Sequence, residues 1–381
     1  MKVLITTDFY LPNITGVTTV ILNQREVFQA MGHEVRVLTI GPKRRTFYQD
    51  GVYHIKACCL KLFPDSYMTC SFHDRIIEEI IAWKPDIVHS NNEFFSMAFA
   101  KHIAEHLSIP LIHTCHTDFT RYDASQRIRH SLWDNFIARV VRFRVRNSTC
   151  IISPSFKHRD MLLRYGMKND IHVIPSGVDL KQYRERIDEQ KREQIRKGFS
   201  FTSQNFVLVS VCRLAPEKHV SLTIDNFFLL QKLESRVRLL IVGGGPKQEK
   251  LEKQVQELHL QDTVRFSGPI ASDQVHQYYQ AGDLFVSSSI RESQGLSFVE
   301  ALASGLPLLC RDDAFLGISV EDLACGCLYA DSKEFVHKCS ALIENEALYT
   351  KYCKNAHQAS GQFCREAWGE KLLALFRSCL E

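Results

Sequence analysis

The amino-acid sequence predicts an α/β protein made of two doubly wound parallel-sheet domains in tandem. Three observations predict it. Short apolar runs alternate with longer stretches of helical period, as buried parallel strands joined by crossover helices require. The alternation breaks at Lys181 to Lys197, a segment dense in both charges, and then starts again. The chain has 381 residues, which at roughly 100–200 residues per domain points to two domains.

The elements follow in order. Val3 to Ile5 reads as a buried strand, Gly16 to Met31 as a helix and Glu34 to Thr39 as a strand. Asp74 to Trp83 is helical, Asp86 to His89 extended, Ser96 to His106 helical and Pro110 to His113 extended. Cys150 to Ser153 and Ile171 to Pro175 close the first half as strands. The charged segment suits a solvated connection or an exposed helix. Beyond it come strand Phe206–Ser210, helix Ser221–Lys232, strand Val237–Val242 and helix Pro246–Leu258. Strands at Val264–Phe266, Asp283–Val286 and Pro307–Cys310, with a helix at Phe298–Ser304, complete the pattern. The expected divisions are 1–182, 183–362 and a terminal helical segment, 363–381, that crosses back to the first domain from Arg365 onward. In such sheets ligands bind beyond the carboxyl ends of the strands, so a ligand shared by two domains would lie in a central cleft they face.

Composition narrows the function. Hydrophobic residues at 45% and charged residues at 24% are globular proportions, which disfavour disorder and coiled coil. A net charge of +4 gives no bulk reason to expect a nucleic-acid partner. The 13 cysteines include no Cys-x-x-Cys pair and no Cys/His set at zinc-ligand spacing, so no metal site is expected. They read as small buried hydrophobes in a reducing cytosol. The apolar run after Met1 is too short for a signal-peptide core, and no run approaches the roughly 18 residues of a membrane span. The expected location is cytoplasmic, soluble or peripheral.

Three stretches carry candidate chemistry. Asp8 to Val17 follows the first strand and opens the first helix, where Gly16 would let backbone N–H groups approach an anion; such a glycine is also common in a plain turn. Arg213 and Lys218 stand just after a strand, and a guanidinium fork with an ammonium suits the two phosphates of a diphosphate, the alternative being a solvated charge pair. In Ser287 to Pro307, a polar loop containing Glu292 leads through Gly295 to a helix starting near Leu296. The helix's first N–H groups would face a phosphate. Glu300, one turn on, is placed to accept hydrogen bonds from ribose hydroxyls rather than to meet the phosphate; alone it would read as an exposed helical glutamate. Gly243-Gly244-Gly245-Pro246 lacks the third glycine of a dinucleotide fingerprint, since Gln248 stands there, and no P-loop sequence occurs.

Glu292, seven residues, then Glu300 followed by Ala301-Leu302-Ala303-Ser304-Gly305-Leu306-Pro307 closely resembles the signature of retaining nucleotide-sugar glycosyltransferases of the GT-B fold, the family 4 / group 1 type. The surrounding motifs match in order: Pro12 to Val17, Gly32 to Val35, Lys84 to His89, His113-Thr114-Cys115-His116-Thr117, Val173 to Asp179, Arg213-Leu214 with Glu217-Lys218, and Val242 to Pro246. The form Glu292-Ser293-Gln294-Gly295-Leu296-Ser297 looks most like bacterial 1,2-diacylglycerol 3-glucosyltransferases. The resemblance implies two Rossmann-like domains, the first for the acceptor and the second for the nucleotide-sugar. It implies that Gly16 lies close to donor phosphate and acceptor, that Arg213 and Lys218 hold the diphosphate in place of a metal, and that the Gly295 and Leu296 amides help them. Glu292 would bind hydroxyls of the moving sugar, Glu300 the ribose, and His116 would stand near the reacting centre, with Asp118 a polar neighbour. No cofactor is implied beyond the donor substrate itself.

The reaction so implied is transfer of a hexose, glucose from UDP-glucose, to diacylglycerol or a related lipid with retained anomeric configuration. Arg121 to Arg146 is rich in arginine with Trp133, Phe136, Ile137, Val140, Val141 and Phe143 interleaved. That suits docking on an anionic membrane surface, the inner face of the cell membrane, or else a packed helix with a solvated basic face. Lys43-Arg44-Arg45 with Phe47 and Tyr48 would extend it. Alternatives are mannose from GDP-mannose onto a polysaccharide or lipid-linked glycan, a non-catalytic sugar-nucleotide-binding protein and a nucleic-acid binder. The carboxylates and bases at the motif positions argue against the second, and the near-balanced charge against the third.

Overall fold

The computed structural model describes residues 1–12, 15–41, 45–59, 67–68, 75–116, 127–289, 295–312, 320–321 and 323–381. Two units emerge: Met1–Gly177 together with Arg365–Glu381, and Val178–Cys364.

In the first unit the strands are β1 (Lys2–Thr7), β2 (Glu34–Gly41), β3 (Phe47–Gln49), β4 (Val52–Lys56), β5 (Cys58–Cys59), β6 (Tyr67–Met68), β7 (Ile87–Ser90), β8 (Leu111–Thr114), β9 (Cys150–Ser153) and β10 (Ile171–Val173). Eight form one sheet in the order β10-β9-β8-β7-β1-β2-β4-β3. All neighbours in it are parallel except the edge pair β3–β4. β1 is buried from Val3 to Thr7 and has no polar alternation, because helices cover both faces of a parallel sheet. The helices are α1 (Gly16–Ala30), α2 (Arg75–Trp83), α3 (Phe95–Leu107), α4 (Arg127–Val145) and α5 (Phe156–Arg164). Thr15 starts α1 by accepting the Thr18 N–H at 3.1 Å. The edge strand β3 was not expected. Phe47, assigned above to a basic patch, stacks on His54 across the β3–β4 pair with ring centroids 4.5 Å apart.

The second unit holds β11 (Phe206–Val211), β12 (Val237–Val242), β13 (Val264–Phe266), β14 (Leu284–Ser287), β15 (Leu308–Arg311) and β16 (Gly326–Tyr329). They make one fully parallel sheet, ordered β13-β12-β11-β14-β15-β16. Its helices are α6 (Lys181–Arg184), α7 (Glu189–Gly198), α8 (Val220–Gln231), α9 (Gln248–Glu257), α10 (Val275–Ala281), α11 (Leu296–Ala303), α12 (Ser332–Glu344) and α13 (Glu346–Ala359). The charged segment thus supplies α6 and α7, and one side of α7 is not solvated. Arg196 is buried and pairs with Asp283 at 2.7 Å, Arg192 reaches the same carboxylate at 2.6 Å, and Asp283 also accepts the Val207 N–H. A distant acidic partner overrides the solvated reading that local charge density suggests.

The last helix, α14 (Arg365–Ser378), belongs to the first unit. It packs on α1, with Phe376 edge-on to Phe28 and Arg365 paired to Glu26 at 2.7 Å. Among the described residues no helix is long and apolar enough to cross a membrane.

Candidate active site

Each sheet has one point where the chain turns from building in one direction to building in the other. In the second unit it falls between β11 and β14, in the first between β1 and β7. Loops leaving two such strands diverge and open a crevice at their carboxyl ends. The predicted site residues gather at these two points, with Gly16 and His116 in one unit and Arg213, Lys218, Gly295, Leu296 and Glu300 in the other.

At the β11–β14 point, Arg213 follows β11 and is exposed, and Lys218 ends a single 3-10 turn, Pro216–Lys218. The Ser289 hydroxyl, beyond β14, donates to the Glu217 carbonyl at 3.4 Å, tying the two loops together. Gly295 precedes α11 with φ +71°, and a Cβ there would stand 2.5 Å from the Phe298 ring, so both conformation and space call for glycine. The amides of Leu296 and Ser297 begin the helix and have no acceptor within it. Glu300 is half-buried, not the exposed helical glutamate that the residue alone suggested. Its carboxylate accepts from the Tyr279 hydroxyl at 2.7 Å. Burial raises its pKa, and the hydroxyls of Tyr279 and Tyr183 pull the other way. A carboxylate has about four acceptor positions, so two tyrosines leave room for two more hydroxyl donors. Glu292 and Asp118 lie outside the described residues.

The glycine-rich loop after β12 serves packing. The Gly243 N–H donates to the Gly268 carbonyl at 3.2 Å, and a Cβ on Gly243 or Gly245 would collide with the backbone of Cys212 or Leu214. The Leu214 N–H in turn bonds the Gly244 carbonyl at 3.0 Å, which fixes the loop that carries Arg213.

At the β1–β7 point, Asp8 follows β1, Asn91 to Glu93 follow β7, and His116 follows the adjacent β8. Gly16 is the exposed first residue of α1. His116 Nε2 is 2.9 Å from Asn91 Oδ1. The Asn91 amide nitrogen faces the His89 carbonyl at 3.5 Å, so its oxygen is the acceptor and His116 carries its proton on Nε2. Burial pushes the His116 pKa down to about 3, against the pull of Glu93. The ring is therefore neutral at physiological pH, with a lone pair on Nδ1. Asp8 is buried and accepts the Ser96 N–H at 2.6 Å at the start of α3. Burial raises its pKa to about 6 despite that bond. Sequence reasoning did not single out the side chains of Asn91, Asp8 and Tyr279, of which Asn91 bonds His116 and Tyr279 bonds Glu300. Asn91 and Asp8 do fall directly after strands, which is the signal that could have found them.

Of the basic stretch, positions 121–126 lie outside the described residues. On the described part of α4, Val141 and Val145 are buried, whereas Phe136 and Phe143 are 57% and 58% exposed, seven residues apart on one face. Arg139 and Arg146 are exposed on that face, and the Arg146 guanidinium lies 4.6 Å from the Phe143 ring centre.

Residues 14–182 match the model of Glycosyltransferase Family 4, and residues 191–359 match that of Glycosyl transferases group 1. The chain is 31% identical to an alpha-monoglucosyldiacylglycerol synthase of Streptococcus pneumoniae, covering 86% of this chain and 75% of that one. It is 26% identical to the enzyme of the same description from Acholeplasma laidlawii, over 100% and 98%. Among solved structures, that of Anabaena HepE in complex with UDP superposes with a TM-score of 0.76 at 18% identity, covering 99% of this chain and 100% of that one.

Proposed function

The chain belongs to the GT-B glycosyltransferases of family 4 / group 1, and from that premise we propose that it transfers glucose from UDP-glucose to a hydroxyl of diacylglycerol, with retention at the anomeric carbon. The observation that carries the donor half is the meeting, at the β11–β14 switch point, of the Arg213–Lys218 loop, the α11 amino terminus and the tyrosine-held Glu300. The acceptor half is supported by the two synthases of monoglucosyldiacylglycerol among its relatives.

In this reading the diphosphate lies against Arg213, Lys218 and the first amides of α11. As the glycosidic bond breaks, negative charge grows on the departing phosphate while the sugar becomes oxocarbenium-like. Fixed positive groups at that position stabilise the transition state more than the ground state. Glu300 takes the ribose hydroxyls, and Glu292 holds hydroxyls of the glucose. His116, neutral and proton-fixed by Asn91, offers Nδ1 as an acceptor to a sugar hydroxyl. The acceptor oxygen attacks from the face the phosphate leaves, and its proton passes to the leaving phosphate oxygen, so no side-chain base is required. The aromatic and basic face of α4 docks on anionic lipid, keeping the enzyme peripheral at the inner face of the cell membrane, where its acceptor resides.

The test is a transfer assay on vesicles of diacylglycerol with phosphatidylglycerol, screening radiolabelled UDP-, GDP- and ADP-sugars. The expected product is glucosyldiacylglycerol from UDP-glucose, with flotation on anionic vesicles reduced in the Phe136→Ser/Phe143→Ser double variant. Turnover of GDP-mannose in its place would sink the donor assignment, and unchanged flotation the docking face.

A further inference from the structure

Cys150 opens β9 and is buried, and Cys379 stands directly after Ser378, the last residue of α14. Both belong to the first unit, although 229 positions separate them in the chain. Their Sγ atoms lie 3.8 Å apart. The end of α14 is held by Phe376, whose ring is edge-on to Phe28 of α1 and to His89 of β7. Cys379 itself is half-buried, and its N–H donates to the Leu375 carbonyl at 3.2 Å.

We propose that Cys150 and Cys379 are a redox-sensitive pair whose disulfide locks the end of α14 to β9. A disulfide is about 2.05 Å long, so about 1.8 Å of the 3.8 Å separation remains to be closed. Rotation about the Cα–Cβ bond of Cys379, which lies past the regular helix, closes a gap of that size. Accessibility divides the roles. Cys379 is the partly exposed member, and the attacking thiolate must be reachable. Burial raises the Cys150 thiol pKa, with the neighbouring Cys379 sulfur adding to the effect, so Cys150 is the resolving thiol.

The oxidant is a low-molecular-weight disulfide such as glutathione disulfide. The Cys379 thiolate attacks one of its sulfurs and expels a thiolate. Cys150 then loses its proton to solvent, attacks the Cys379 sulfur and expels the second. Two protein thiols become one disulfide while the small disulfide is reduced to two thiols. In the mixed disulfide Cys379 carries no charge, which removes its share of the bias against the Cys150 thiolate. In a reducing cytosol the pair stays reduced and responds to oxidation. Packing alone accounts for Cys150 as a small buried hydrophobe, but not for a partly exposed sulfur set against it. The bond would close a loop that contains the whole second unit, and closing a long loop restricts the unfolded chain.

The experiment compares the full-length chain reduced and after treatment with glutathione disulfide. Tryptic peptides 147–157 and 378–381 each hold one cysteine. Mass spectrometry without reductant should find them joined, in protein that runs as a single chain on a denaturing gel. Trp83, Trp133 and Trp368, all the tryptophans of the chain, belong to the first unit, so their fluorescence reads its unfolding. The urea midpoint should rise on oxidation and fall back with reductant, and Cys379→Ser should show no rise. The proposal is overturned if Cys379 is recovered only as its glutathione adduct, if the cross-link joins two chains, or if it forms and leaves the midpoint unmoved. These three readings use wild-type protein, so none depends on how a variant folds.

Discussion

Glu300 shows how far a single residue could be read. Its place in the signature marked it, yet its ionisation follows from partners that sequence spacing does not reveal. Tyr279 stands 21 residues away and meets it only through folding. Because burial raises its pKa, the carboxylate is lost on acidification at a higher pH than an ordinary glutamate's. If it binds the ribose, affinity for UDP-glucose should weaken as pH falls through that raised value. Tyr279→Phe, which removes a bond to the charged form, should move this fall towards neutral pH. Glu300→Gln should bind weakly throughout and lack it. Calorimetric titration with UDP-glucose across pH checks this, and an identical pH profile in all three proteins would refute it. His116 was legible by motif, but its proton position was not, since Asn91 lies 25 residues earlier.

At the scale of elements, the buried strands were the most legible parts. Cys150–Ser153, Val237–Val242 and Val264–Phe266 have the bounds read from their apolar runs. Short apolar runs between polar turns leave little choice of conformation. The three-residue edge strand β3 was missed because Phe-Tyr-Gln has no run and no period to show. α7 was read as charged and solvated, and the error was Arg196, whose acidic partner is 87 residues away. That buried network predicts its own energetics. Asp283→Ala leaves the Arg196 guanidinium without its carboxylate and the Val207 N–H without its acceptor. The expected loss is about 3–5 kcal/mol, measured by urea unfolding. A loss under about 1 kcal/mol, the scale of a surface ion pair, would show the network to be peripheral.

For the whole molecule, the repeated alternation made two parallel-sheet units legible in the sequence. The strand order placed the candidate residues at the two switch points, which periodicity alone cannot do. Net charge was a poor guide. The sum of +4 conceals an α4 face on which arginines flank exposed Phe136 and Phe143.

The central claim is that Arg213 and Lys218 stabilise a departing nucleoside diphosphate. Its most direct test is kcat/KM for UDP-glucose with diacylglycerol vesicles in Lys218→Ala, whose half-buried side chain lies outside the core. The account predicts a fall of about 10²–10³-fold, the usual cost of removing one transition-state charge partner, with the unfolding midpoint unchanged. Wild-type turnover in that variant would contradict it.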